Sequence, residues 1–120
     1  MRAFITALLL FFILIGLIII NSVYITSEFE NMSLAAERIA SSQDKEALIL
    51  ELKRMWQKNL PIFNLSIRMG ELERMNDLIE SLSASHHAEN DAELRKYCIL
   101  ISDLAKELAL YEKLSLRSIF

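Results

Sequence analysis

The sequence predicts an all-α protein in which an N-terminal transmembrane helix continues into a small antiparallel bundle of three to four helices. A bilayer-length apolar run covers residues 3–20, and apolar residues recur at helical spacing through the rest of the chain. The 120 residues include only two glycines and one proline, and they show no strand-like alternation or glycine-rich hairpin turn. These observations together exclude a sheet-based fold.

Residues 3–20 contain no charged side chain, and Thr6 and Gly16 are their only breaks in hydrophobicity. About 20 apolar helical residues cross the ~30 Å hydrocarbon layer of a bilayer. A cleaved signal peptide and an uncleaved anchor both fit this pattern. The run exceeds the usual signal-peptide core and no small-x-small cleavage pattern follows it, which favours the anchor. We expect residues 1–27 to form that anchor, with lipid contacts through residues 3–25.

Charge near the span predicts its orientation. Arg2 is the only basic residue before it, whereas Glu28 and Glu30 follow it. Because the positive flank of a span stays in the cytoplasm, we expect a cytoplasmic N-terminus. The protein is then a single-pass protein of the cell membrane, with residues 28–120 forming an extracytoplasmic bundle domain.

No glycine or proline separates the span from the amphipathic stretch that follows, so one helix is expected to run from the membrane to the polar residues 41–44. Its predicted buried face consists of Phe29, Met32, Ala36 and Ile39. Further helices are predicted over residues 44–59 and 61–83. Pro61 disfavours helical geometry at Leu60 and suits a first helical turn, so a bend is expected there.

A fourth helix is predicted over residues 90–113, after a turn at 83–89, and Asn90 and Glu93 have the spacing of a capping box. Its 3-4 spacing makes a narrow, coiled-coil-like stripe for packing against antiparallel neighbours. The stripe comprises Leu94, Tyr97, Ile101, Leu104, Leu108 and Tyr111. An apolar tail of Leu114, Leu116, Ile119 and Phe120 is expected to fold back onto the bundle. The third helix has a similar stripe of Leu65, Arg68, Leu72, Met75, Ile79 and Leu82.

The formal net charge is −3, and the lysines and arginines are scattered, so no basic run exists to neutralise a row of phosphates. We therefore expect no nucleic-acid partner. The single cysteine, Cys98, excludes an intrachain disulfide and a multi-cysteine metal site.

His86 and His87 are the only histidines, and Glu89 and Asp91 lie nearby in the sequence. A metal site needs ligands that converge, whereas adjacent histidines diverge on regular backbone and form no H-x-x-x-H pair. We interpret them as solvated turn residues.

Other candidate residues have a structural interpretation beside a functional one. Arg68 lies on an apolar stripe, where it either binds an acidic ligand or has a structural role. In the structural role, which we favour, it extends outward to water or pairs with Glu71 or Glu73. Cys98 is expected to be a buried small hydrophobe rather than a redox thiol.

Trp56, beside Met55, is either a partner anchor or a core residue, and the core is favoured. Met32, Met69 and Met75 are likewise expected in the core. Phosphate-binding loops and G-x-S-x-G motifs are missing. We expect no enzyme activity and no catalytic, cofactor-binding or metal site.

The layout resembles a family of short bacterial proteins grouped as a domain of unknown function, found mainly in spore-forming Gram-positive bacteria. The similar features are the start Met1-Arg2-Ala3, Trp56 late in the second helix, and the closing string from Glu112 to Phe120, EKLSLRSIF. The resemblance implies an N-terminally membrane-anchored helical protein with no assigned reaction, and it supplies no site residues.

The sequence is compatible with two functions. The first is a membrane-anchored interaction or accessory module with a protein partner in or at the membrane. The second is an extracytoplasmic sensor or small-ligand-binding domain that uses Arg68 and a gap near Pro61. A cavity lined by Arg68 and aromatic side chains would favour the second.

Overall fold

The computed structural model describes residues 1–119, and these form four helices with no strand among them. The helices are α1 (Arg2–Ser41), α2 (Lys45–Ser66), α3 (Met69–His87) and α4 (Asp91–Ile119). The predicted all-α class is confirmed. The molecule measures 68 × 23 × 22 Å, so one helix determines its length.

The longest element, α1, has 40 residues and is therefore about 60 Å long. It passes through residues 21 and 22 without a break and ends at Ser41, as predicted. Ser42 has extended backbone, and its Oγ accepts a hydrogen bond from the Asp44 N–H at 3.1 Å. The span-length half of α1 and its amphipathic half are thus one continuous helix.

The C-terminal half of α1 packs with the other three helices as an antiparallel four-helix bundle, in which each helix contacts its sequence neighbours and α4 closes against α1. The predicted face of α1 is confirmed, since Phe29, Met32, Ala36 and Ile39 are fully buried. Bundle packing starts at Ser22, which is 5% exposed. The bundle therefore begins within α1, not at a boundary between elements.

The N-terminal half of α1 projects beyond the bundle. Nearly all of its apolar side chains are exposed, from Phe4 at 69% to Ile20 at 68%, and Ile15 is half-buried. Among the described residues, α1 alone is long and apolar enough to cross a membrane, and none of its most apolar eighteen-residue window is buried. An N-terminal signal sequence also satisfies this criterion of length and hydropathy, whereas the core helix of a soluble protein would be mostly buried.

The predicted start of a third helix at Pro61 is wrong, because α2 continues through Pro61 to Ser66. Pro61 lies on the exposed face, between the buried residues Asn59 and Phe63. The carbonyl that its missing N–H leaves free, that of Gln57, belongs to an exposed residue, where water can replace the bond. Packing on both sides of the proline outweighs its local preference, and the chain turns instead at Ile67 and Arg68, which are extended.

This shift moves the third helix. Leu65 belongs to the end of α2 and is 81% exposed, so it is not part of an α3 stripe. Arg68 is the N-cap of α3, and Gly70 lies in its first turn rather than its interior. The rest of the predicted stripe is correct, since the remaining members are buried: Leu72, Met75, Ile79 and Leu82.

The turn before α4 is shorter than predicted, because α3 runs to His87 and only residues 88–90 connect the helices. Glu89 takes a left-handed conformation there, with φ 54°. Half of the capping box is present: Asn90 Oδ1 accepts from the Glu93 N–H at 3.2 Å, while the Asn90 N–H donates to the Ser85 carbonyl.

Helix α4 is longer than predicted and continues to Ile119 along α1. The apolar tail does not fold back, because no glycine or proline interrupts it and Leu116 lies near Ile18 of α1. Leu114 is 48% exposed, and Leu116 is half-buried. Phe120 and the Ile119 side chain lie outside the described residues.

Along the predicted α4 stripe, Tyr97 is half-buried, Tyr111 is 56% exposed, and the other four members are buried.

Candidate functional site

One end of the bundle carries most of the polar side chains that line clefts. At this end, which we call the base, α1 leaves the bundle and Asn21 Nδ2 donates to Ser66 Oγ at 3.5 Å. A cleft of about 440 Å³, the basal cleft, lies between the α2–α3 turn and α4. Its lining is Ser66, Ile67, Arg68, Glu71, Leu108, Tyr111, Glu112 and Ser115.

A second recess of about 260 Å³ continues the basal cleft toward α1. Ser66, Glu112 and Ser115 line both, and the recess adds Asn21 and Ser22 from α1. Three segments therefore contribute polar groups: α1, the end of α2 with its turn, and the last part of α4. Hydroxyl, amide and carboxyl groups in one cleft can hold a small polar molecule by hydrogen bonds.

Glu112 is the carboxyl at the centre of this surface. Burial raises the pKa of Glu112, while the neighbouring Ser22 hydroxyl stabilises the charged form and offsets part of the rise. A carboxyl in this setting accepts hydrogen bonds when ionised and donates one when protonated. Helical spacing alone did not single out Glu112, because its position beside Ser22 of α1 depends on tertiary packing.

Arg68 lies beside this carboxyl-lined surface but not on an apolar stripe. Arg68 is exposed and forms no ion pair within residues 1–119. Arg68 thus extends outward to water, one of the two structural roles expected for it. It pairs with neither Glu71 nor Glu73, and Glu71 Oε2 pairs instead with Arg74 Nη1 at 3.8 Å. The basal cleft thus presents one guanidinium, from Arg68, and an exposed phenol, from Tyr111.

The histidine pair does not join this site. His86 is half-buried and His87 is exposed in the last turn of α3, near the opposite end of the bundle, with ring centroids 5.8 Å apart. Within the part of the chain that the structure describes, no group of three or more His, Cys, Asp or Glu residues lies close enough to hold a metal ion.

Cys98 is 2% exposed, which confirms the expectation of a buried thiol. Burial raises the pKa of Cys98 to about 11, although the positive charge of Lys45 opposes the shift. The group is therefore a thiol at neutral pH, and a thiol is a poor nucleophile compared with a thiolate.

Trp56 is 2% exposed and belongs to an aromatic core cluster, so it is not an exposed partner anchor. Its ring lies 5.7 Å from that of Phe63, which stacks on Phe29 at 4.3 Å. Trp56 Nε1 has no hydrogen-bond partner among the described residues. Met32 and Met75 are also core residues, whereas Met69 is 70% exposed, so its predicted burial is wrong.

Two polar networks link α1 to other helices, and neither was predicted from the sequence. In the first, buried Asn59 accepts from the Tyr24 hydroxyl at 2.5 Å and donates to Glu28 Oε2 at 3.0 Å. The available signal was that Asn59 continues the 3-4 spacing of Leu52, Trp56 and Phe63, where an apolar residue is usual.

The second network joins α1 to α4. Ser33 and Ser102 share a buried hydrogen bond of 2.8 Å, and Ser102 donates to Glu37 Oε1 at 3.0 Å. Lys106 Nζ contacts the same oxygen at 2.9 Å, and these partners lower the pKa of Glu37. Both networks fix how α1 is oriented in the bundle.

No family model, curated protein or solved structure matches this sequence.

Proposed function

We propose that this protein is a single-pass membrane-anchored helical module that works by holding a protein partner in or at the membrane, without catalysis of its own. The supporting observation is the projecting half of α1, whose apolar side chains are exposed on every side. Eighteen such residues would be about 27 Å long, close to the hydrocarbon thickness of a bilayer. Insertion into lipid would remove this apolar surface from water.

An uncleaved anchor is favoured by the way α1 enters the bundle. Ser22, Ile25 and Thr26 are buried against the other helices, and Tyr24 bonds to Asn59. Signal-peptide cleavage just after the apolar run would remove some of these contacts. The same helix therefore serves as the membrane anchor and as a core element of the bundle.

The orientation that we propose keeps the N-terminus in the cytoplasm and the bundle outside. Arg2 flanks one end of the apolar helix, and Glu28 and Glu30 follow the other end. This asymmetry agrees with the positive-inside rule. The resemblance to the family of anchored helical proteins from spore-forming bacteria is part of the same proposal.

A partner-binding role is supported by large apolar side chains that stay exposed on the sides of the bundle. Leu34 on α1 is 51% exposed, and Ile99 and Leu110 on α4 are 59% and 55% exposed. Rigid helices that carry exposed apolar residues can pack against a partner helix. The networks at Asn59 and Ser102 would hold those helices in place during binding.

Two experiments test this function. Reporter fusions at both termini should show a cytoplasmic N-terminus and an extracytoplasmic C-terminus, and a cytoplasmic C-terminus would contradict the orientation.

A photo-crosslinking residue at Leu110 should capture a discrete partner in native membranes. Gln57, an exposed polar position on α2, is the matched control. Equal capture at both positions would contradict a specific apolar docking surface.

The alternative function is an extracytoplasmic sensor or small-ligand binder, and the basal cleft favours it. The cleft combines Arg68, Tyr111 and Glu112, the mixture of guanidinium, phenol and carboxyl that suits a small zwitterion such as a free amino acid. It lies at Ser66–Arg68, not at the predicted gap near Pro61.

A panel of free amino acids should test this alternative by thermal shift on the full-length protein in detergent. A ligand that fits would raise Tm in the wild type but not in Arg68→Ala or Glu112→Gln, while the exposed-site control Glu73→Gln should respond normally. The absence of any shift across the panel would contradict binding of this class.

A further inference from the structure

The α2–α3 turn at the base of the bundle exposes two large apolar side chains that are four residues apart in the sequence. Leu65 is 81% exposed and Met69 is 70% exposed, among the highest values for large apolar residues outside the projecting half of α1. The residues between them are the exposed Ser66 and Arg68 and the half-buried Ile67. The turn thus ends the bundle with an apolar tip and one cation.

The height of this tip coincides with the end of the exposed apolar helix. Ser66 bonds to Asn21, the first residue after the apolar run of residues 3–20. Leu65 and Met69 lie one and three residues from Ser66 in the sequence. If α1 crosses a bilayer, the tip lies where hydrocarbon gives way to lipid headgroups.

The opposite end of the bundle differs in composition. Its two connections are residues 42–44, Ser-Gln-Asp, and residues 88–90, Ala-Glu-Asn, and they carry no large apolar side chain. Exposed apolar turn residues therefore occur only at the end from which the apolar helix emerges, within residues 1–119.

We propose that Leu65 and Met69 insert into the bilayer interface beside α1 and form a second, shallow membrane attachment of the bundle. The proposal rests on the anchorage proposed above, since only an embedded α1 brings the base to lipid. Apolar side chains enter the boundary between headgroups and acyl chains to a depth of about 5–10 Å. Arg68 between them can extend its guanidinium to the phosphates while its methylenes stay in apolar surroundings.

Tyr111 belongs to the same surface. It is 56% exposed, lines the basal cleft beside Arg68, and carries the phenol that is enriched where membrane meets water. With α1 and the turn both in contact with lipid, the bundle is attached at two places. It can then neither tilt nor rotate freely about α1, and the basal cleft opens at headgroup level.

The test uses the full-length chain in vesicles of phosphatidylethanolamine and phosphatidylglycerol. Leu65→Cys and Met69→Cys carry an environment-sensitive fluorophore, and Leu50→Cys and Ile99→Cys are matched controls. These control positions are 54% and 59% exposed and lie about 20–24 Å of helix from the base. Native Cys98 is buried, so wild-type protein gives the labelling blank.

Lipids with a nitroxide high on the acyl chain should quench the labels at 65 and 69 several-fold more than those at 50 and 99, with a blue shift in emission. Equal quenching at all four positions, in protein that floats with the vesicles, would overturn the insertion and leave the anchor intact. Protein that fails to float would instead contradict the anchor.

A second copy of the chain is the competing occupant of the tip. It would give a blue shift that grows with the protein-to-lipid ratio and little quenching by the nitroxide lipid. That result would also overturn insertion into lipid.

Discussion

Asn59 is a polar residue at a position that is only 1% exposed, on the stripe by which α2 packs against α1. Its side chain bonds to Tyr24, Glu28 and the Met55 carbonyl, so both its donor and its acceptor groups are satisfied. A buried amide with satisfied partners fixes one register between two helices, because a shifted register would leave it unpaired.

Asn59→Ala should lower the free energy of unfolding by about 1–3 kcal/mol, because it leaves the Tyr24 hydroxyl and the Glu28 carboxylate without their buried partner. Chemical denaturation of the full-length protein in detergent would measure the change. Asn64→Ala, an exposed asparagine on the same helix, should cost much less. Equal effects of the two substitutions would show that the network does not stabilise the bundle.

Glu112 and Glu37 should respond to pH in opposite directions. Burial raises the pKa of Glu112 above 4.5, so the folded state prefers the protonated form, and ionisation destabilises it as the pH rises. Lys106 and Ser102 lower the pKa of Glu37, so its carboxylate stabilises the fold above pH 4.5, and that contribution is lost as the pH falls.

Glu112→Gln should therefore be more stable than wild type at neutral pH, with an advantage that disappears below pH 4.5. Glu37→Gln should be less stable at neutral pH, with a deficit that disappears as the pH falls below that value. Denaturation midpoints at a series of pH values would measure both. A neutral-pH loss of stability in Glu112→Gln would contradict the burial of this carboxyl.

At the scale of the helices, apolar periodicity predicted which faces are buried but not where helices end. The stripes of α1 and α4 were predictable because Phe29, Met32, Leu94 and Ile101 repeat at helical spacing. The end of α2 was not, because Pro61 has a strong local preference against helix and its exposed ring makes that preference harmless here.

The basal cleft was not predictable for the same reason. Its lining depends on the chain turning at Ile67–Arg68 and on α4 reaching Ser115, and both differ from the predicted helix ends. Because α2 ends several residues later than predicted, Arg68 is the N-cap of α3 and not a member of an apolar stripe. Pairwise matches between helices, such as Glu112 with Ser22, are a tertiary property that one-dimensional spacing does not contain.

Helix α1 should behave as one rigid rod across the base of the bundle. Spin labels on cysteines replacing Ile13 and Asn31, both exposed and 18 residues apart, should give a narrow distance distribution near 27 Å in vesicles. Lys96 and Leu114 of α4 have the same spacing and serve as the control. A distribution broader than the control, or shifted to shorter distances, would place a joint near residues 21 and 22.

The whole molecule is polarised along its 68 Å axis. One end is the exposed apolar half of α1, the middle is the base with its cleft and the apolar tip at Leu65 and Met69, and the far end has polar turns. This gradient matches the change from hydrocarbon through headgroups to water. Insertion of α1 into a membrane would account for these exposed apolar residues, which an isolated bundle in water would not favour.

We propose that the apolar half of α1 remains part of the mature protein and holds the bundle in the membrane. The most direct test is the intact mass of the protein recovered from membranes washed with alkaline carbonate. We predict the full chain of 13.8 kDa, retained in the membrane fraction. A shorter, carbonate-soluble product that begins after the apolar run would identify a cleaved signal peptide and contradict the account.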